Sequence, residues 1–252
     1  MEEGFEDYKT VPIDENAVTI LLFTSGTTSM SKAVMLSQQN ILSNVKAMEA
    51  TEKFIPGDIN MAFLPYHHTF GSVGQTLMLA CGVATAYCDG LKYLQKNLVE
   101  YKVSVFFCVP LLIESIYKKV MQTVKKQGKE KTLATGIKIS QFLLKFGIDI
   151  RRKLFKEILD QLGGNLRFVI SGAAAIDPEA IKGFNNLGIS AVQGFGMTEA
   201  SPVISAENDK EHALGSCGHA MLGVDLRIDN PDENGVGELI AKGPNIMAGY
   251  YE

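Results

Sequence analysis

Short apolar runs rich in β-branched residues recur along this chain, and between them lie segments with helical spacing. VTILLF (18–23), INMAFL (59–64), VATAY (83–87), VSVFFCV (103–109), LRFVIS (166–171) and ISAVQG (189–194) read as strands. Several are apolar throughout, as strands covered on both faces are. The spacing predicts helices over 38–52 after a Ser37 cap, 72–80, 91–101, 110–126, 149–162 and 178–186 after Asp177-Pro178. This alternation implies an α/β fold of layered, mainly parallel sheets with flanking helices. After residue 212 the helices stop: GVDLRI, the turn DNPDENGVG and GELIAKG read as strands and a hairpin. The expected division is therefore 1–212, an α/β part, and 213–252, the start of a small β-rich subdomain.

With 252 residues, 46% of them hydrophobic and 21% charged, the chain can bury a large core. Its uncharged apolar runs fall short of the roughly 20 residues that span a bilayer. The opening MEEGFEDYKT is acidic where a signal peptide is basic and then apolar, so a cytoplasmic location is expected. Cys81, Cys88, Cys108 and Cys217 form no C-x-x-C pair and read as buried, reduced thiols. Between Lys118 and Lys156 stand twelve Lys or Arg against two acids, while the rest of the chain holds twelve bases against twenty-six acids. A basic island sits in an acidic protein.

The segment LLFTSGTTSMSKAVMLS (21–37) breaks an apolar run with Gly, Ser and Thr and ends the break on a lysine. Thr24, Ser25, Gly26, Thr27, Thr28, Ser29, Ser31 and Lys32 offer backbone N–H groups, hydroxyls and one positive charge, a set suited to phosphate oxygens. A G-x-x-x-x-G-K-[ST] loop is excluded. Ser31 stands at its second glycine, Ala33 at its magnesium-binding hydroxyl, and the chain continues as an apparent strand. A hydroxyl-rich surface hairpin is the plain alternative.

The same segment resembles the phosphate-loop signature [YF]-[TS]-S-G-[ST]-T-G-x-P-K-G-V of the AMP-forming adenylate-forming enzymes. LPYHHTFG (64–71), QGFGMTEASPV (193–203) and GELIAKGPNIMAGYYE (237–252) are similar to that family's next three signatures, in the same order. The resemblance implies ATP, Mg²⁺ and coenzyme A as cofactor or co-substrates. It implies a two-step reaction in which a carboxylate attacks the α-phosphate of ATP, pyrophosphate leaves, and a thiol attacks the acyl-adenylate. It departs from the pattern at Ser29, Ser31 and Ala33, which replace Gly, Pro and Gly and alter the loop's backbone freedom.

The resemblance assigns Lys32, His68 and Glu199 to catalysis. Nucleotide binding falls to Thr24, Ser25, Gly26, Thr27, Thr28 and Lys32, to Gly172, Ala173 and Ala174 of SGAAAID, and to Gly194, Phe195, Gly196, Met197 and Thr198. Glu199 and Thr27 become the Mg²⁺ ligands, a hard carboxylate oxygen suiting that ion. Phe195 would stack on adenine, and His68, not His67, would orient the substrate carboxylate. Taken alone, Glu199 is an ordinary helix-start acid, Phe195 a packing residue, SGAAAID a strand-to-helix turn, and the His pair a solvated turn.

The segment from 115 to 159, SIYKKVMQTVKKQGKEKTLATGIKISQFLLKFGIDIRRKLFKEIL, resembles the long helical insert of long-chain fatty acid–CoA ligases. A medium- or long-chain fatty acid is thus the expected substrate, with coenzyme A or an acyl carrier protein as acceptor. In the family, a T-G-D segment, a hinge and a C-terminal domain with a catalytic Lys follow the match to GYYE, so the chain is expected to need that missing domain of the same protein. A degenerate nucleotide-binding domain without turnover is the alternative. A nucleic-acid module is set aside because the island lacks interleaved aromatics. The apolar stripes at Ile113, Ile116, Tyr117, Val120, Met121, Val124 and at Ile139, Phe142, Leu143, Phe146, Ile150 are expected to pack on the sheet. The charge of 118–156 is expected to give peripheral contact with an anionic membrane.

Overall fold

The computed structural model describes residues 9–24, 31–208 and 213–251. The centre is a seven-stranded sheet built from β3 (Ile59–Ala62), β4 (Ala84–Tyr87), β5 (Val105–Cys108), β6 (Phe168–Ser171), β7 (Ser190–Gly196), β8 (Val203–Ala206) and β9 (His219–Ala220). Its order is β4-β3-β5-β6-β7-β8-β9. The first five strands in that order run parallel. β8 and β9 are added antiparallel at the β7 edge. Parallel neighbours need crossovers, and helices α2 (Thr69–Ala80), α3 (Leu94–Glu100), α4 (Pro110–Lys126) and α8 (Pro178–Asn186) supply them.

The all-apolar strands are explained by burial on both faces. Along β5 and β6, Phe106, Cys108 and Val169 join a core with Ile113, Val120 and Phe184 from α4 and α8. The alternate residues Val105, Phe107 and Phe168 join another with Val73, Leu77 and Met78 of α2 and Val45 of α1 (Gln38–Thr51). Where Ser37 was expected to cap α1, its hydroxyl accepts from the Asn40 amide while the Asn40 side chain accepts from the Ser37 amide, closing a capping box.

β1 (Val18–Thr24) and β2 (Lys32–Ser37) form an antiparallel pair around the hydroxyl-rich loop, with Thr24 opposite Lys32. A third strand, β12 (Gly249–Tyr251), joins β2 from the far end of the chain. β10 (Asp225–Asp229) and β11 (Glu238–Lys242) make the expected hairpin. Residues 213–251 do not stand apart, however. β9 lengthens the main sheet and Met221 and Val224 pack with Ala47 and Ile204.

The segment after α4 differs from expectation. Helix α5 (Glu130–Leu144) occupies the insert, and the helix expected over 149–162 is instead two short ones, α6 (Arg151–Leu154) and α7 (Lys156–Asp160), split at Phe155. Gly147, at φ +75°, ends the α5 turn and breaks the second apolar stripe. In the α4 stripe Ile113, Ile116, Val120 and Val124 are buried and Tyr117 and Met121 are half-buried against the same core, but Ile139, Phe142 and Phe146 of the second stripe face outward, contrary to the expected packing on the sheet. Cys217 is likewise exposed, whereas Cys108 is buried and Cys81 and Cys88 are half-buried; all four are free. Among the described residues, no helix is long and apolar enough to cross a membrane.

Candidate active site

In the order β4-β3-β5-β6-β7, the chain steps outward from β3 to β4, then passes back over β3 to β5 and on to β7. The carboxyl ends at such a reversal form a crevice, the usual ligand position in open α/β sheets. A cavity of about 470 Å³ lies there, within the roughly 300–1,000 Å³ range of small-molecule sites.

Its mouth is built from the segments that follow the strands: Leu64, Pro65 and His68 after β3, Val109 after β5, Gly172 and Ala173 after β6, and Gly194, Phe195, Gly196, Met197 and Thr198 at the end of β7. Deeper, the wall is apolar, with Phe54, Leu77, Phe107, Phe168 and Val192. Phe54 packs against both Phe107 and Phe168, at 6.5 and 6.1 Å between ring centroids. Four buried polar side chains also line it, Thr69, Ser171, Gln193 and Glu207. The Ser171 hydroxyl has no hydrogen-bond partner among the described residues. The Glu207 carboxylate accepts from the backbone amides of Gln193 at 3.2 Å and Ala213 at 3.1 Å.

His68 precedes the first residue of α2, meets the His67 ring at a tilt of 48° with centroids 4.3 Å apart, and lines the cavity, which His67 does not. Phe195 is 42% exposed at the rim, so its ring can receive a flat ligand. Gly196 passes so close to the next strand that a Cβ there would lie 1.9 Å from the Pro202 carbonyl oxygen.

Glu199 sits in a single 3-10 turn, Thr198–Ala200, directly after the cavity residues. The turn is held from three sides. The Met247 amide donates to the Glu199 carbonyl at 2.9 Å, and the Asn245 side chain donates to the Ala200 carbonyl at 2.9 Å. On α1, the buried Asn44 both donates to and accepts from the Val203 backbone. The Asn40 side chain donates to the Pro244 and Ile246 carbonyls, each at 2.8 Å. The Tyr250 hydroxyl donates to Glu199 Oε1 at 2.9 Å, which with the nearby negative charge raises the phenol pKa above its ordinary value. Lys32 Nζ lies 4.8 Å from the centre of the same ring.

The structure therefore brings His68, Gly172, Ala173, Gly194, Phe195, Gly196, Met197 and Thr198 to one cavity. Lys32 and Glu199 are linked to each other through Tyr250 instead of lining that cavity. Ala174 is exposed beyond it, and Thr24 marks the end of β1. Ser25, Gly26, Thr27, Thr28 and Ser29 lie outside the described residues. Sequence reasoning quoted Tyr250 within a signature without giving it a role, and it passed over Asn40, Asn44 and Asn245.

No group of three or more His, Cys, Asp or Glu among the described residues could cage a metal. Glu199 alone fits Mg²⁺ as that ion is usually held, by one or two carboxylates together with water and substrate phosphates. Its side chain is half-buried and, among the described residues, Tyr250 is the one donor to it.

The chain is 30% identical to the peroxisomal long chain acyl-CoA synthetase 6 of Arabidopsis thaliana over 96% of its own length and 37% of the relative's. It is also 30% identical to the long-chain-fatty-acid–CoA ligase 5 of Rattus norvegicus, over 98% and 39%. A chloroplastic long-chain-fatty-acid–[acyl-carrier-protein] ligase of Arabidopsis thaliana is 26% identical. The chain thus spans well under half the length of these relatives. Among solved structures, apo MatB from Rhodopseudomonas palustris superposes with a TM-score of 0.70 at 22% identity, over 96% of this chain and 42% of that one. The family model of the AMP-binding enzymes matches residues 2–251, and the chain belongs to that family.

Proposed function

We infer that this protein activates a carboxylic acid, a medium- or long-chain fatty acid, with ATP and passes the acyl group to coenzyme A. The observation that carries this reading is the apolar cavity whose mouth is ringed by His68, Phe195 and the glycines of β7, beside Lys32 and Glu199. An apolar chain fits the phenylalanine-lined depth, leaving its carboxylate at the mouth near His68. A carboxylate oxygen attacks the α-phosphorus and pyrophosphate leaves; the thiol then attacks the acyl carbon and AMP leaves. Such chemistry rests on positioning and charge neutralisation, so no nucleophilic side chain is required. Lys32 and the loop around Thr27 and Thr28 take the polyphosphate, and Phe195 with Gly172 and Ala173 takes the adenine. Glu199 and Thr27 would hold Mg²⁺, which would supply further neutralisation of phosphate charge.

Long-chain acyl-CoA synthetases among the relatives support the acyl class. The relative named for acyl carrier protein keeps that acceptor as the second reading. We assign the thioester step to a C-terminal domain of the same protein, outside residues 1–252. A cytoplasmic site of action stays part of the proposal, although two of the relatives are named for the peroxisome and the chloroplast. Acid-dependent pyrophosphate exchange by the intact protein, across a panel of aliphatic, aryl and amino acids, tests the reading. Exchange should be fastest with long aliphatic acids. ATP binding without exchange for any acid would instead support a nucleotide-binding domain lacking turnover.

Contact with an anionic membrane through 118–156 belongs to the same proposal, with its surface relocated. On α5 and the turn that follows it, Ile139, Phe142 and Phe146 are exposed along with Lys131, Lys138 and Lys145. By contrast, Arg151, Arg152, Lys129 and Lys156 are engaged with Asp149, backbone carbonyls, Glu157 and Asp160. Salt-sensitive co-sedimentation with phosphatidylglycerol vesicles, lost on Phe142→Ser and Phe146→Ser, is the expected result.

A further inference from the structure

Lys32 and Glu199 carry opposite charges, both are half-buried, and both approach the same tyrosine, yet no ion pair joins them. What lies between them is Tyr250. Its ring face meets the ammonium at 4.8 Å from the centroid, and its hydroxyl donates to Glu199 Oε1 at 2.9 Å. The polarity of a phenol matches both neighbours. The π face is electronegative and attracts a cation, while the O–H is a donor and suits a carboxylate.

Strand pairing fixes this placement. Tyr250 stands opposite Val34 in the β12–β2 register, so Lys32, two residues away on β2, is its diagonal neighbour on the same face. The segment just before Tyr250 grips both partners: the Ala248 amide donates to the Met35 carbonyl at 3.0 Å and the Met247 amide to the Glu199 carbonyl at 2.9 Å. One stretch of chain thus sets the phenol and the two backbones it separates.

We propose that Tyr250 is a positioning residue that holds Lys32 and Glu199 apart, keeping the ammonium unpaired for phosphate oxygens and the carboxylate aimed for a divalent cation. This rests on the assignment of Lys32 and Glu199 to polyphosphate and Mg²⁺. Without the ring, the two charges close on each other and neither meets its ligand. Without only the hydroxyl, the spacing survives and the carboxylate loses its orientation.

The two variants separate these effects. Binding of a non-hydrolysable ATP analogue to the intact protein is measured calorimetrically across a Mg²⁺ titration and in EDTA. Tyr250→Phe should raise the Mg²⁺ concentration at half-effect on the order of tenfold, the usual weight of a hydrogen bond to a charged group, and leave binding in EDTA unchanged. Tyr250→Leu should weaken binding in EDTA as well. Adding Glu199→Gln to Tyr250→Leu should restore the EDTA affinity, since the lysine then has no carboxylate to capture it. A loss through general damage to the fold would not be restored in this way. A wild-type Mg²⁺ midpoint in Tyr250→Phe, or no restoration in the double variant, overturns the proposal. Wild-type protein that binds the analogue in neither condition overturns the polyphosphate assignment itself, and this inference with it.

Discussion

The ring of Phe70 occupies the space in front of Gly172, so that a Cβ at position 172 would stand 2.9 Å from its nearest ring atom. Both residues line the cavity, and Phe70 also meets Phe107 edge-on with centroids 6.0 Å apart. The obstacle to a side chain at 172 is therefore the far end of a rotatable group. Gly172→Ala should push the Phe70 ring into the cavity and leave the fold standing. The expected outcome is a melting temperature close to wild type with slower acid-dependent pyrophosphate exchange; unchanged exchange would show that the ring has another place to go.

Gly196→Ala should behave in the opposite way. Its obstacle is the Pro202 carbonyl on the backbone of the adjoining segment, which cannot swing aside. A loss of about 1–3 kcal/mol in chemical denaturation is expected, the range typical of overpacking.

Lys32→Ala and Glu199→Ala in the intact protein should each depress acyl-adenylate formation on the order of a hundredfold or more, as removal of one preorganised charge-stabilising group does. Both side chains are half-buried, and neither belongs to the apolar cores, so circular dichroism and melting should stay near wild type. Wild-type exchange rates in both variants would remove the phosphate assignment.

Asp58 gives a prediction in pH. Burial alone would raise its pKa, but Arg167, the Ile55 amide at 2.9 Å and the Ser104 hydroxyl at 2.8 Å hold it below the ordinary 3.8. A depressed carboxylate contributes stability above its unfolded-state value and loses it as pH falls through the lower folded-state value. Asp58→Asn should therefore cost about 3 kcal/mol at pH 7, the low end for a broken buried pair because Arg167 is partly exposed. Below pH 3.8 the gap to wild type should narrow, as urea denaturation at pH 7 and pH 3 can establish.

Thiol labelling reads the cysteines. Cys217 is exposed and should react with a disulfide reagent in the native state, slowly at neutral pH because partial burial and the Glu207 charge raise its pKa. Cys108, buried in β5 with its thiol pushed well up by desolvation, should react only on unfolding.

Much of this was legible from residue order. Runs such as VSVFFCV carry no alternation because Phe106 and Phe107 point into different cores, and a doubly covered strand announces itself by that uniformity. Ser37 and Asp177-Pro178 began the helices expected of them, because caps act through neighbours one to three residues away. What stayed hidden depends on partners distant in sequence. Asn40 and Asn44 look like indifferent helix residues until the loop at 244–246 and the start of β8 at Val203 arrive to meet them. Tyr250 acquires its meaning from Glu199 and Lys32, neither of them near it along the chain. The 149–162 helix was misjudged because Phe155 interrupts it with a non-helical ψ of 23°, and nothing local to that phenylalanine marks a break.

The pairing of β12 with β2 also sets a clock. Val34 and Tyr250 lie more than two hundred residues apart yet face each other in one sheet. At roughly 5–20 residues per second of synthesis, the edge of β2 waits on the order of ten to forty seconds before its partner strand exists. Throughout that interval the nascent β1–β2 pair presents one open edge on a largely apolar strand, the kind of edge that recruits other chains. Slow translation, or crowding of ribosomes on one message, should thus reduce the yield of native protein well before it affects the stability of molecules already folded.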